Sequence, residues 1–181
     1  MLLKITRYDD LDARKLMDVY AESNAENTRF FCPDEPDEQK AIGTVEAGFL
    51  DFLKNGFFGQ SEAACWVLQE DGVWLSAART CRIREGLYFL EALETRPDQR
   101  KKGYGSRLLS GIADALKKDG AFRLCDCVEK TNAASLKTHE ACGFCIVSEA
   151  GYDYLLEEAD DRDYGLAYEY IDEKRGTQPC D

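Results

Sequence analysis

The chain has 181 residues, 44% hydrophobic and 32% charged, a length and balance that predict one domain, 1–181, with a sizeable core. Its net charge of −12 argues against general nucleic-acid binding, because phosphate contacts need a basic surface. No apolar run reaches bilayer length and Met1 to Tyr8 lacks a signal-peptide pattern, so a cytoplasmic protein with no membrane partner is expected.

Leu2-Leu3-Lys4-Ile5 reads as an opening strand. A helix is predicted from Asp9 or Asp10, with Ala13, Leu16, Met17 and Tyr20 on one face. Asn24 to Asp37, which contains Pro33 and Pro36, reads as a loop. Ile42, Val45, Phe49, Phe52 and Leu53 then repeat at helical spacing until Asn55-Gly56. From Ala64 the period changes, and three strands follow, Cys65 to Gln69, Val73 to Ile83 and Leu87 to Leu93, joined at Asp71-Gly72 and Glu85-Gly86. Ser106 to Lys118 carries Leu108, Leu109, Ile112 and Leu116 at helical spacing and stops at Asp119-Gly120. Phe122 to Val128 reads as a strand, Asn132 to Cys142 as a helix, Phe144 to Val147 and Gly165 to Ile171 as strands, and acidic Glu157 to Asp163 as a loop. Hairpins mixed with one strand–helix–strand crossover predict an α/β fold with a sheet of mixed direction.

The stretch Arg100-Lys101-Lys102-Gly103-Tyr104-Gly105 joins a strand to a helix. There the first backbone N–H groups of the helix lack intrahelical partners, glycine lets an anion approach the backbone, and the cations add charge. A Walker loop needs GxxxxGK[ST] and a Rossmann turn needs GxGxxG; neither fits. The eight cysteines are scattered through strand-like and helix-like segments and read as reduced thiols. Cys142-Gly143-Phe144-Cys145 has CxxC spacing, but one histidine and no second CxxC make a packing role the better reading, with no metal expected.

Arg100 to Gly105 matches (Arg/Gln)-x-x-Gly-x-(Gly/Ala). With Pro97, Leu108-Leu109, Asn132-x-x-Ser135 and Gly143-Phe144, the chain resembles the GNAT (GCN5-related) N-acyltransferase superfamily over 87–147, and in element order over nearly its whole length. The resemblance implies a mostly antiparallel sheet of about seven strands flanked by about four helices, splayed to hold the arm of acetyl-CoA as co-substrate. It implies that Arg100, Lys101, Lys102, Gly103, Tyr104, Gly105 and Ser106 cradle the diphosphate. Backbone groups of Leu93 and Thr95 would pair with the pantetheine arm, and Asn132 and Ser135 would contact the cofactor from the next helix.

Acetyl transfer to an amine needs a neutral nucleophile and a proton for the departing thiolate. Glu91, which interrupts an apolar run, is the favoured base, and Glu94 competes with it. On a regular strand the two lie on opposite faces, although a bulge, which the family often has there, re-aims one of them. His139 stands where the family commonly has the tyrosine that protonates the thiolate, and a packing role is the alternative. By the same resemblance the first two helices and the loop 157–163 wall the acceptor pocket. The acceptor amine, and whether the chain acts alone or as a homodimer, stay open, as does a non-catalytic CoA-binding module of the same fold.

Overall fold

The computed structural model describes residues 1–172. Among the described residues nine strands and five α-helices follow one another: β1 (Leu2–Ile5), α1 (Ala13–Val19), α2 (Ala21–Phe31), α3 (Glu38–Asn55), β2 (Ala64–Glu70), β3 (Val73–Arg84), β4 (Leu87–Thr95), α4 (Tyr104–Leu116), β5 (Phe122–Glu129), α5 (Ala133–Ala141), β6 (Cys145–Ser148), β7 (Gly151–Asp153), β8 (Glu158–Asp160) and β9 (Asp163–Tyr170). Seven strands form one sheet in the order β1-β2-β3-β4-β5-β9-β6, and β7 and β8 form a separate hairpin. Among the described residues only β4 and β5 pair in parallel, as a crossover through α4 that returns to the same sheet requires.

Alternation along the strands sorts the core onto two faces. Cys65, Val67, Ala77, Cys81 and Phe89 meet Leu16, Met17, Tyr20 and Leu53 of the first three helices. Ala64, Trp66, Leu68, Leu90 and Leu124 meet Leu108, Leu109, Ile112 and Leu116 of α4 on the other face. The turn between β2 and β3 has positive φ at both Asp71 and Gly72, 50° and 78°, the mirror-image turn that suits twisted strands.

Two expectations are corrected. Residues 24–31 are helical, within α2, and not loop. The segment AESNAENTRFF has no apolar stripe, with Asn24 its one buried residue, so it is held by packing on α3 instead of by its own pattern. The acidic stretch 157–163 is not a plain loop, because Glu158–Asp160 pairs with Gly151–Asp153. Its polar composition hides strands too short to show alternation.

That hairpin sits tightly on the sheet. A Cβ at Gly151 would stand 2.7 Å from Asp163 Cβ and 3.2 Å from Cys127 Cβ, neither of which is the end of a flexible chain. Gly151→Ala is therefore expected to destabilise the fold by about 1–3 kcal/mol, read as a lower midpoint in urea unfolding. An unshifted midpoint would show that the hairpin lifts freely.

Candidate active site

The sheet opens at its centre. β4 and β5 pair only through Leu87, Tyr88 and Phe89 against Arg123, Leu124 and Cys125, and then both run on, to Thr95 and Glu129, without pairing to each other. The resulting wedge leaves the β4 edge from Leu90 to Thr95 without a strand partner on the β5 side. An extended ligand can add there as a strand would.

Along the same stretch β4 carries a bulge. Ala77 faces Glu94 and Arg79 faces Glu91, so three steps on β4 match two on β3. The extra residue is absorbed at Ala92, a non-glycine residue with φ of 53°. Tyr20 holds it there, its hydroxyl donating to the Ala92 carbonyl at 2.6 Å. The bulge turns Glu91 and Glu94 onto one face, the face of α1 to α3, where a regular strand would oppose them. Leu93 goes to the other face and packs with the α4 core.

The two carboxylates sit in different environments. Glu91 accepts from Arg79 Nε at 2.8 Å, a pair whose side chains are 18% and 9% exposed. The guanidinium lies against the rings of Phe49, Phe52 and Phe57, at 5.0, 5.5 and 5.5 Å. Its buried Nη1 has no hydrogen-bond partner, and the aromatic faces stand in for one. Glu91 thus balances a buried cation. Glu94 is different: burial pushes its carboxyl above the usual carboxylate range, against the pull of Arg100 and of a hydrogen bond from Ser23, with Glu22 and Glu26 adding to the rise. Its Oε2 is 3.6 Å from Arg100 Nη2, and the same nitrogen bonds Glu22.

At the far end of the wedge Gly103 caps α4 with φ of 78°, and no side chain caps the helix. The amides of Tyr104, Gly105 and Ser106 open the helix there, and the preceding Lys101 is also left-handed, at 61°. Successive left-handed turns form a concave nest of N–H groups, and the helix end adds partial positive charge. A Cβ at Gly105 would stand 3.4 Å from Thr95 Oγ1 and 3.7 Å from Thr138 Cγ2, so the end of β4, the start of α4 and the flank of α5 converge. Lys101 and Lys102 are exposed around the nest. Arg100 leaves it, folding back to Glu22, Glu94 and the Thr95 carbonyl. Tyr104 packs inward, its hydroxyl donating to Glu70 at 3.3 Å.

On α5, Asn132 is the helix cap, its side chain accepting from the Ser135 amide at 3.0 Å. His139 does not reach the wedge. Its side chain is wholly buried, Nε2 stands 2.8 Å from Asp126 Oδ2, and Nδ1 stands 2.9 Å from the Ser135 carbonyl. The Asp126 carboxylate holds the imidazole proton, pushing His139 upward against the opposite pull of burial. The CxxC cysteines also diverge: Cys142 donates to the Ser106 carbonyl on α4, and Cys145 is exposed on β6. Among the described residues no cluster of metal-ligating side chains occurs, and no helix is long and apolar enough to cross a membrane.

Tyr20, Arg79 and Asp126 belong to this site and escape a reading by motif. Each looks like ordinary core or strand sequence. The one available signal is a lone charge inside an apolar strand, as at Arg79 and Asp126, which implies a buried partner somewhere in the fold.

The profile of the Acetyltransferase (GNAT) family matches residues 42–144. No curated protein matches the chain in sequence. Among solved structures, the fold is similar to that of PaiA N-acetyltransferase from Thermoplasma acidophilum in complex with coenzyme A, at 16% identity over 94% of this chain and 99% of that one, with a TM-score of 0.63. It is similar to YncA from Salmonella typhimurium with its cofactor acetyl-CoA, at 19% identity, 99% of each chain and a TM-score of 0.59. The ribosomal-protein-S18-alanine N-acetyltransferase from Escherichia coli shares 17% identity over 98% of this chain and 99% of its own, with a TM-score of 0.59.

Proposed function

Because the chain belongs to the GNAT acetyltransferase family, whose profile spans more than half of it, we propose that it transfers an acetyl group from acetyl-CoA to a primary amine by direct attack, with both substrates bound together. The observation that carries this reading is the wedge itself, with a nest of amides at its mouth and, on the face of α1 to α3, a carboxylate poised above its ordinary range. The residues present fit the donor: the amides of Tyr104 to Ser106, with Lys101 and Lys102, would hold its diphosphate, and the open edge of β4 at Leu93 and Thr95 would hold its arm. When bound there, the donor supplies an activated acetyl group.

The chain's own part in the chemistry is proton handling and placement. Most alkyl amines are protonated near neutral pH and cannot attack a carbonyl. Glu94 would take that proton, since its buried carboxylate gains from being neutralised. The acidic neighbours Glu22 and Glu26 would favour a cationic amine on approach and hold up the basicity of Glu94. Glu91 would keep Arg79 in place under the bulge, and Tyr20 would keep the bulge aimed.

Isothermal titration with CoA tests the donor site. Gly103→Glu places a carboxylate and a Cβ at a left-handed position in the nest, and is expected to weaken CoA binding by more than about tenfold. Equal affinity in a variant with an unchanged melting profile would overturn the cradle.

A second reading, a CoA-binding module without turnover, draws on Glu91 being tied to Arg79 and His139 being sealed in the core. A thiol-release screen with acetyl-CoA across an amine library separates the two. CoA binding without thiol release from any amine would favour the module.

A further inference from the structure

Arg100 belongs to the nest by position, three residues before Gly103, yet its guanidinium turns the other way and gathers three acceptors. Nη2 bonds Glu22 and lies 3.6 Å from Glu94 Oε2, and Nε donates to the Thr95 carbonyl at 3.4 Å. That carbonyl belongs to the open edge. The Arg96 amide donates to Leu75 on β3 at 2.9 Å, so Thr95, one residue earlier, turns its own N–H and C=O away from β3 and into the gap. One side chain thus spans the mouth of the wedge, from the end of β4 to the acidic face of α2.

These contacts are of a kind that a stronger anion breaks. The side chains of Arg100 and Glu22 are 42% and 45% exposed, and an exposed ion pair holds weakly. A diphosphate in the nest offers several oxygens to the guanidinium fork, and two-bonded, charge-assisted pairs are the stronger kind. Thr95 adjoins both places. Its carbonyl takes Arg100 Nε, and its Oγ1 is the atom 3.4 Å from a Cβ placed on Gly105, in the first turn of α4. An arm pairing along β4 competes with Nε for that same carbonyl.

Resting on the acetyltransferase reading above, we propose that Arg100 is a latch: in the free protein it closes the mouth of the wedge on Glu22 and Glu94, and the donor draws it off, freeing the base. Arg100 is then a positioning residue that couples the two halves of the site. The seat between Glu22 and Glu94 opens to a cationic amine once the donor is in place.

Glu94 registers the change. Burial raises its carboxyl, and Arg100 is the cation that pulls it back down. From α2, Ser23 donates a hydrogen bond to it, and Glu22 and Glu26 repel its charge. Tyr20, before α2, is acted on by Glu94, Glu91 and Arg79 together. Arg79 is buried against Glu91, and Arg96 pairs with Asp18 and Asp98, so Arg100 is the cation among them that can leave. With it gone, Glu22 and Glu26 act on Glu94 unopposed, and Glu94 holds a proton more tightly.

Isothermal titration of CoA in two buffers of different ionisation enthalpy counts the protons taken up on binding. Across about pH 5 to 7 wild type should take up about half a proton more than Glu94→Gln, the amount that a tenfold change in acidity gives. Comparison with Glu94→Gln removes the protons that the phosphates of CoA exchange themselves. In Arg100→Gln the excess should disappear, because Glu94 has no latch to lose. Carboxyl-carbon NMR reads the same coupling without ligand: Glu94 should be an acid about tenfold weaker in free Arg100→Gln than in free wild type. A wild type with no excess, an Arg100→Gln protein that keeps it, or equal titration of Glu94 in the two free proteins overturns the latch while the acetyltransferase reading stands. A wild-type protein that does not bind CoA overturns that reading, and the latch falls with it.

Discussion

Glu94→Gln is expected to lower kcat about 10²- to 10³-fold near neutral pH, the range a general base supplies. The amide cannot take a proton, yet it keeps the size and most of the packing of the carboxylate. In wild type the folded carboxyl lies above the ordinary glutamate value because it is buried. Activity should therefore climb as pH rises through that raised value, and in Glu94→Gln this acid limb should vanish. Turnover should recover in part at high pH, where the amine deprotonates unaided. Glu91→Gln makes the control. It leaves the buried Arg79 cation without its counter-charge, so its main effect should be a lower unfolding midpoint. If the rates fall the other way round, with Glu91→Gln losing the acid limb and Glu94→Gln keeping it, Glu91 is the base and the division of roles is wrong.

Asp126→Ala should have the largest effect on stability, a loss of about 3–5 kcal/mol, as for other buried pairs broken on one side. His139 would remain wholly buried with Nε2 facing a void. The pH dependence follows from the two shifts, both upward: His139 above its ordinary 6.5, held there by Asp126, and Asp126 above its ordinary 3.8, raised by its own burial. A group whose folded value is raised stabilises fully below its unfolded value and less as pH climbs through the folded one. The wild-type pair should therefore weaken from the ordinary histidine range upward. Urea unfolding at about pH 6 and about pH 9 should show the gap between wild type and Asp126→Ala narrowing at the higher pH. A constant gap would mean that the proton between Nε2 and Oδ2 does not change hands in that window.

The cradle at Arg100 to Gly105, the amphipathic α4 and the Asp71-Gly72 turn were legible because each is written in local sequence: glycines at a strand end, an apolar stripe, a two-residue turn. The relation between Glu91 and Glu94 was not. It depends on Ala92 and on Tyr20, 72 residues away, and no periodicity encodes a bulge pinned from another element. His139 was singled out by its place before Gly143-Phe144, but its partner Asp126 lies on another strand, and the burial that removes it from direct contact with a ligand is a tertiary property. α2 was missed because its residues mark neither face as apolar, and the β7 and β8 hairpin because three-residue strands are too short to alternate.

The seam between β4 and β5 has a mechanical meaning. Three register pairs join the half of the sheet that carries the carboxylates to the half that carries α5, against eight pairs between β5 and β9. The two halves are joined like boards meeting along a short glue line, and a ligand lying along β4 would splint them. Exchange of those amides between Leu90 and Thr95 that point into the gap, away from β3, should be fast in the free protein and slow once such a splint is in place, with little change in β2 or β9. Holding the substrate and stiffening the sheet would then be one event, and the unliganded chain would owe its looseness to the gap that makes room for its substrate.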